Sequence, residues 1–224
     1  MNFVKFRSFT GLWAYGMGLL AILWVLPAAA AAADELLPPQ KVIEEASDKL
    51  KDRLQDKSFV SDFARVNVYV DEVIDPHVDF DRMSLYVLGK HWRNADSDQK
   101  ARFKKEFREM LIRTYSRAFT EFKEWSIRYL PLRANGQDKK VVVRTEILQP
   151  GIQPVAVNYR MVNDKGTWKV FDITIEGVSL VTNYRSDFNR DVQRTGSLES
   201  VIERLASRNS KAFQAGNGGG QGDS

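Results

Sequence analysis

The chain of 224 residues contains no cysteine and only two histidines. Without cysteine it has no disulfide, no thiolate nucleophile and no thiolate metal ligand, so its stability must come from its core. His77 directly follows Pro76, and His91 comes shortly after Gly89. The carboxylates around the two histidines do not have the spacing of a metal site. We interpret both histidines as surface or capping residues and predict no metal site.

Phosphate-binding and catalytic motifs are also missing. No glycine-rich loop follows a predicted strand and opens a helix, and there is no phosphate-loop lysine motif. Asp172 and Glu176 could form a carboxylate pair on one face of a strand, but strand geometry separates them by about 13 Å. That distance is too long for the usual two-carboxylate hydrolysis. In the alternative interpretation, Asp172 binds nearby backbone or pairs with an arginine. The sequence therefore predicts no enzyme activity and no cofactor.

The chain lacks a strong excess of charge of either sign. Its formal net charge is +4, and two of the positive charges, Lys5 and Arg7, lie near the N-terminus. Acidic and basic residues alternate along the remainder, whereas a nucleic-acid-binding surface needs Lys and Arg clustered on one face. We therefore expect no nucleic-acid partner.

Long apolar runs are absent except at the N-terminus. There Lys5 and Arg7 precede an apolar stretch over residues 9–26, which is followed by an alanine run that ends at Ala33. A short basic region, an apolar segment and small residues at an A-x-A site are typical of a secretory signal peptide. We predict a signal peptide over residues 1–33 and a mature chain that starts at Asp34. An uncleaved transmembrane helix is the alternative.

Apolar residues recur at helical spacing in six later segments. The predicted helices span residues 40–55, 59–74, 79–89, 96–122, 180–194 and 198–213. Asp96 and Gln99 have the pattern of a capping box, and Gly89 is a typical C-terminal stop. Residues 34–213 are predicted to form a single domain, and the glycine-rich residues 214–224 a flexible tail.

Between the fourth and fifth helices the hydrophobic period changes to that of strands. The predicted strands span residues 125–132, 140–148, 155–162 and 167–175. Short turn sequences connect them, and short links between consecutive strands imply an antiparallel meander. The sequence therefore predicts an α+β fold in which about six helices back a four-stranded antiparallel sheet.

The last predicted strand leads directly into a break and a helix. One face carries Phe171, Ile173 and Ile175, and the other carries Trp168, Val170, Asp172 and Glu176. Gly177 allows the chain to turn, and Ser179 is placed to cap a helix that begins near residue 180. Apolar residues on both faces indicate a strand that is covered on both sides or that lines a cavity. The pattern leaves both possibilities open.

Two stretches carry specific motifs. Residues 88–119 contain L-G-x-x-W and then a four-residue repeat, matched at Leu88, Gly89, Trp92, Gln99, Phe103, Phe107, Leu111 and Tyr115. Residues 168–188 contain W-x-V-x-D-x-x-x-E-G-V-S-L, matched at Trp168, Val170, Asp172, Glu176, Gly177, Val178, Ser179 and Leu180. In these motifs and in the order of its elements, the chain resembles the MlaC-type periplasmic phospholipid-binding proteins, or toluene-tolerance family.

The resemblance implies a cone-shaped fold whose curved sheet encloses an apolar pocket. The pocket would hold the acyl chains of a glycerophospholipid and leave the headgroup at its mouth. In this family a soluble periplasmic carrier shuttles lipid between an outer-membrane lipoprotein–porin complex and an inner-membrane ABC transporter, in the pathway of outer-membrane lipid asymmetry. The resemblance implies no catalytic residues, and bound phospholipid is the cargo rather than a cofactor. We expect a monomer.

The predicted lipid-binding residues come from the strand faces, the break and the long helix. They are Leu111, Tyr115, Phe119, Val143, Val155, Val157, Tyr159, Ile173, Ile175 and Val178. Ordinary core packing is the alternative role for each of them. Arg160, Lys169 and Arg185 are candidates for contact with the lipid phosphate, with solvated surface as the alternative. Two other functions remain open: a non-catalytic periplasmic interaction module with a filled core, and a periplasmic hydrolase.

Overall fold

Eight α-helices and five strands make up the described residues, 35–121, 124–135 and 137–218, of the computed structural model. The helices are α1 (Pro38–Leu54), α2 (Lys57–Val60), α3 (Phe63–Ile74), α4 (Phe80–Leu88), α5 (Lys90–Asn94), α6 (Ser97–Glu121), α7 (Leu180–Thr195) and α8 (Leu198–Gly218). The strands are β1 (Ser126–Tyr129), β2 (Lys140–Gln149), β3 (Ile152–Asp164), β4 (Thr167–Ile175) and β5 (Val178–Ser179). The predicted signal peptide, residues 1–33, lies outside the described residues.

The strands form one antiparallel sheet in the order β1-β2-β3-β4-β5. The predicted α+β class and the meander are confirmed, but the sheet has five strands rather than four. The additional strand, β5, is only two residues long, which is too short to show the alternation of a strand in sequence.

The described residues also contain more helices than the six predicted. The segment predicted as one helix from residue 59 to residue 74 is divided into α2 and α3, because Asp62 begins a new helix. Its carboxylate accepts the Arg65 backbone N–H at 3.1 Å, which is a typical N-cap interaction. The short α5 forms between Gly89 and the start of α6.

Three helix ends agree with their predicted signals. Asp96 and Gln99 form the capping box, in which Asp96 Oδ1 accepts the Gln99 N–H at 2.8 Å. Ser179 caps α7 by accepting the Thr182 N–H at 3.1 Å. Gly89 ends α4 with a positive φ of 55°.

The predicted faces of β4 are wrong, because a bulge interrupts the strand. Arg160 pairs with Asp172 and the next residue, Met161, pairs with Val170, so Phe171 is the extra residue. A bulge of this kind reverses the alternation beyond it. Trp168 and Val170 therefore share a face with Ile173 and Ile175, while Phe171 lies on the other face, with its ring 5.7 Å from that of Tyr86 in α4.

The core has a helical part and a part between helix and sheet. Phe103 and Phe107 of α6 are almost completely buried among α4, α7 and α8, and the ring of Phe188 packs edge-on against both. On the other side, Ile43 of α1 packs against the sheet. Among the described residues, no helix combines the length and the apolar character needed to cross a bilayer.

Candidate functional site

One face of the sheet is apolar across all five strands, and we call it the apolar face. Directly paired residues in an antiparallel sheet point to the same side, so the observed register defines this face. It comprises Ile127, Tyr129, Val141, Val143, Thr145, Ile147, Val155, Val157, Tyr159, Met161, Asn163, Trp168, Val170, Ile173, Ile175 and Val178.

Burial on this face is greatest around Val143 and Met161 and is lower towards the β2–β3 and β4–β5 turns. At the closed end, Val143 and Met161 are 0% exposed, and they pack with Ile43 of α1. At the open end, which lies next to the β2–β3 and β4–β5 turns, Val155 is only half-buried and Val178 is 57% exposed. Exposed apolar residues that continue a buried apolar surface are typical of a binding site for an apolar ligand.

The polar side chains of this face are neutral. Thr145 is 1% exposed, and its hydroxyl donates to the Val157 carbonyl at 2.8 Å. Burial raises the pKa of Tyr129 to about 12. Burial also raises the pKa of Tyr159, with a further contribution from the neighbouring Tyr129. Because the tyrosines stay protonated at neutral pH, the face presents no charge to a ligand.

Most of the predicted lipid-binding residues lie on the apolar face. They are Val143, Val155, Val157, Tyr159, Ile173, Ile175 and, at its exposed end, Val178. Leu111 and Tyr115 instead pack in the helical core around Phe107. The side chain of Phe119 lies outside the described part of the structure. That these residues bind lipid stays a prediction.

Sequence analysis missed three residues of the closed end. Trp168 and Val170 were assigned to the opposite face because the bulge at Phe171 leaves no mark in the alternation of β4. Ile43 lies in the predicted helix over residues 40–55, and the helical spacing of its apolar residues does not say which element they cover. Trp168 and Val170 are both positions of the second motif, and that motif is the signal that points to them.

Comparison with known proteins identifies the fold and the family. The family model described as MlaC protein matches residues 44–207, most of the chain. The chain belongs to the MlaC family. It is 26% identical to the intermembrane phospholipid transport system binding protein MlaC of Haemophilus influenzae, over 75% of this chain and 80% of that protein. It is also 26% identical to the toluene tolerance protein ttg2D of Pseudomonas putida, over 88% of this chain and 92% of that one.

A solved structure has the same fold. It is the phospholipid-binding protein from Ralstonia solanacearum in complex with a phospholipid. The two chains superimpose with a TM-score of 0.72 and 29% sequence identity, over 78% of this chain and 98% of the Ralstonia chain.

In this MlaC-family chain Gly89 of the first motif packs against Arg185, which lies five residues after the end of the second motif. Its φ of 55° and ψ of −114° form a backbone conformation that residues with a side chain rarely adopt. The Arg185 guanidinium lies so close that a Cβ atom added at Gly89 would be 3.0 Å from its Nη2. His91 joins the same helices, since its Nε2 lies 3.0 Å from Asn189 Oδ1. These two contacts connect α4 and α5 to α7.

The three cations considered for phosphate contact lie away from the apolar face. Arg160 is on the opposite face of the sheet, where its guanidinium is 3.5 Å from the Asp172 carboxylate. Lys169 also lies on that opposite face, and Arg185 packs on Gly89.

Asp172 has a structural role. It is 1% exposed and accepts hydrogen bonds from Ser179 Oγ at 2.8 Å and from the Val181 N–H at 3.1 Å. These bonds confirm the interpretation that Asp172 binds nearby backbone and pairs with an arginine. They fix β5 and the start of α7 to β4.

A cavity of about 680 Å³ lies mainly between helices, and Val78 and the β4 residue Lys169 also line it. Its walls come mainly from α3, α6 and the start of α4, and many of them are charged. Arg108 in this wall forms two hydrogen bonds of 2.7 Å with Asp71, and Lys104 pairs with Asp81 at 2.8 Å, so part of this charge is already paired within the protein. None of the ten predicted lipid-binding residues lines this cavity. Within the described ranges, no three His, Asp or Glu side chains are grouped as metal ligands would be.

Proposed function

We propose that this protein is a periplasmic carrier that binds the acyl chains of a glycerophospholipid on its apolar face. The open end of that face, from Val155 to Val178, carries the proposal, because apolar side chains are left accessible there. The relatives support it: one is named for intermembrane phospholipid transport, and the Ralstonia protein of the same fold holds a phospholipid.

A carrier of this kind overcomes a large solvation barrier. Each methylene in contact with water costs about 0.8 kcal/mol, so two acyl chains with roughly 30 methylenes cost on the order of 20 kcal/mol. A lipid therefore does not cross an aqueous compartment freely at a useful rate. An apolar face that offers burial similar to that of a membrane makes each transfer nearly neutral in free energy, so the direction must come from the partners.

The proposed partners are an outer-membrane lipoprotein–porin complex and an inner-membrane ABC transporter, with the carrier acting as a monomer between them. A signal peptide over residues 1–33 would bring the chain to the periplasm. No catalytic step is part of this function, and the phospholipid is cargo. The family match and the name of the Haemophilus protein support this assignment.

Native mass spectrometry of residues 34–224, purified from a Gram-negative periplasm without detergent, tests the proposal. We expect adducts with the mass of an intact phospholipid that organic solvent releases. A mass without adduct, together with no uptake of lipid from vesicles, would contradict the carrier function and favour an interaction module.

The location of the lipid is tested by a pair of variants on opposite faces of the sheet. Val155→Glu places a charge on the half-buried apolar face, and we expect it to abolish lipid retention because a buried carboxylate excludes acyl chains. Val142→Glu is the matched control, since Val142 is 44% exposed on the other face. Equal retention by both variants would show that the acyl chains lie elsewhere.

A further inference from the structure

The turn between β4 and β5 has an unusual residue at its first position. Glu176 and Gly177 form a two-residue turn between the paired residues Ile175 and Val178, with φ values of 47° and 81°. Two successive positive φ values are typical of a type I′ hairpin turn, in which Asn, Asp or Gly is favoured at the first position. A glutamate there is conformationally strained, so another interaction must hold it.

That interaction is a pair of hydrogen bonds to Ala156 of β3. The Glu176 N–H donates to the Ala156 carbonyl at 2.9 Å, and the Glu176 carboxylate accepts the Ala156 N–H. In a regular antiparallel ladder the backbone carbonyl of residue 176 would accept that N–H. The carboxylate takes the place of this carbonyl, which the turn directs elsewhere. We call this pair of bonds the Glu176 clamp.

The clamp lies at the exposed end of the hairpin. At the α7 end, Asp172 fixes Ser179 and Val181 through buried hydrogen bonds. At the turn, Glu176 is exposed and so is the neighbouring Val178. Val178 pairs with Ile175, which in turn pairs with Val157, so these three residues lie side by side at the open end of the apolar face.

We infer that Glu176 is a positioning residue for lipid exchange. Its carboxylate holds the β4–β5 turn against β3, and when this bond breaks the turn moves and carries Val178 away from the open end of the apolar face. This inference rests on the proposed carrier function. It predicts that the strength of the clamp sets the rate at which a loaded phospholipid leaves.

Three substitutions distinguish the effect of the carboxylate hydrogen bond from the effect of the turn conformation. Glu176→Asn and Glu176→Gly remove the long carboxylate but introduce residues that the turn favours, so we expect the fold to be retained. Glu176→Gln keeps an oxygen that can accept the Ala156 N–H and is the matched control. Circular dichroism of each variant checks the fold.

Two measurements are made on each variant of the full mature chain. The first is hydrogen exchange of the Ala156 amide by NMR, which should accelerate about tenfold in the Asn and Gly variants and little in the Gln variant, since a hydrogen bond to a charged group is lost. The second is transfer of a fluorescent phospholipid from the loaded protein to vesicles of phosphatidylethanolamine and phosphatidylglycerol. We expect the Asn and Gly variants to transfer several-fold faster than the wild type.

Several outcomes would overturn the inference. An Ala156 amide that stays equally protected in the Asn and Gly variants would show that the clamp does not hold the turn. Faster amide exchange with unchanged lipid transfer would make the clamp purely structural. If the wild-type protein takes up no lipid, both the carrier function and this inference are refuted. If the wild type transfers lipid and the Asn and Gly variants transfer it at the same rate, the inference alone is refuted.

Discussion

Gly89 shows at the scale of one residue how α4 is joined to α7. It needs a positive φ, and it also needs the absence of a side chain because the Arg185 guanidinium covers it. We expect Gly89→Ala to lower the free energy of unfolding by about 1–3 kcal/mol, the usual cost of a residue held in a sparsely populated backbone conformation. Urea unfolding of the variant and the wild type measures this difference.

The double variant Gly89→Ala, Arg185→Ala separates the two causes. If backbone strain dominates, removing the guanidinium recovers little of the lost stability. If the contact dominates, the double variant is more stable than Gly89→Ala alone. If Gly89→Ala leaves the free energy of unfolding unchanged, both explanations are contradicted.

His77 gives the protein a residue-scale pH dependence. Burial lowers the pKa of His77 below its ordinary value of 6.5, with the nearby Lys49 and Lys169 acting in the same direction and Glu45 opposing them. The unfolded state therefore takes up a proton at a higher pH than the folded state, so stability is lost as the pH falls below that ordinary value. We expect His77→Gln to lose less stability than the wild type between pH of about 7.5 and about 5, the range of histidine titration.

Urea unfolding midpoints of both proteins at the two pH values measure this effect. Other carboxylates also contribute to acid destabilisation in both proteins, but Glu45 interacts with His77, so the difference between the proteins reports on His77 together with this neighbour. An identical pH dependence would refute the prediction.

At the scale of elements, α1 closes one end of the apolar face. Ile43 is 6% exposed and packs with Val143, Met161 and Val170. We expect Ile43→Ala to lower the free energy of unfolding by about 2–4 kcal/mol, because it leaves a cavity between helix and sheet. Val68→Ala in α3 is the control, since that side chain is 57% exposed and should cost less than about 0.5 kcal/mol. Chemical denaturation measures both variants. If Ile43→Ala and Val68→Ala lower the free energy of unfolding by similar amounts, the packing of α1 on the sheet does not contribute as we expect.

Elements whose ends are set by local contacts could be predicted from the sequence. Ser179 and the pair Asp96 and Gln99 bond within one turn of their own helices, so residue type and spacing are enough to place those helix starts. The faces of β4 could not be predicted, because the bulge at Phe171 arises from pairing with β3. Leu111 shows the same limit in the site: its place in a helical stripe predicts burial but not which neighbour buries it.

At the scale of the whole molecule, charge and apolar surface are separated. The described part of the apolar face carries only neutral side chains, whereas ion pairs such as Arg160 with Asp172 lie on the opposite face. A bound lipid would therefore meet apolar groups along its chains and no charged side chain of that face at its headgroup. The energy of binding would come from the chains, which all membrane phospholipids share.

This separation predicts weak headgroup selectivity. We expect the lipid-free protein, incubated with equimolar phosphatidylethanolamine and phosphatidylglycerol vesicles, to load the two lipids within about threefold of their ratio, because a hydrophobic site discriminates poorly between ligands that differ outside it. Solvent extraction and mass spectrometry of the loaded protein measure the ratio, and lipids with matched acyl chains keep chain burial constant. Enrichment of phosphatidylglycerol by more than about tenfold, which corresponds to about 1.4 kcal/mol, would mean that a cation contacts the phosphate. If Arg160→Ala then abolished the enrichment, the headgroup would contact the face of the sheet opposite to the apolar face. It would not lie at the open end next to Val178.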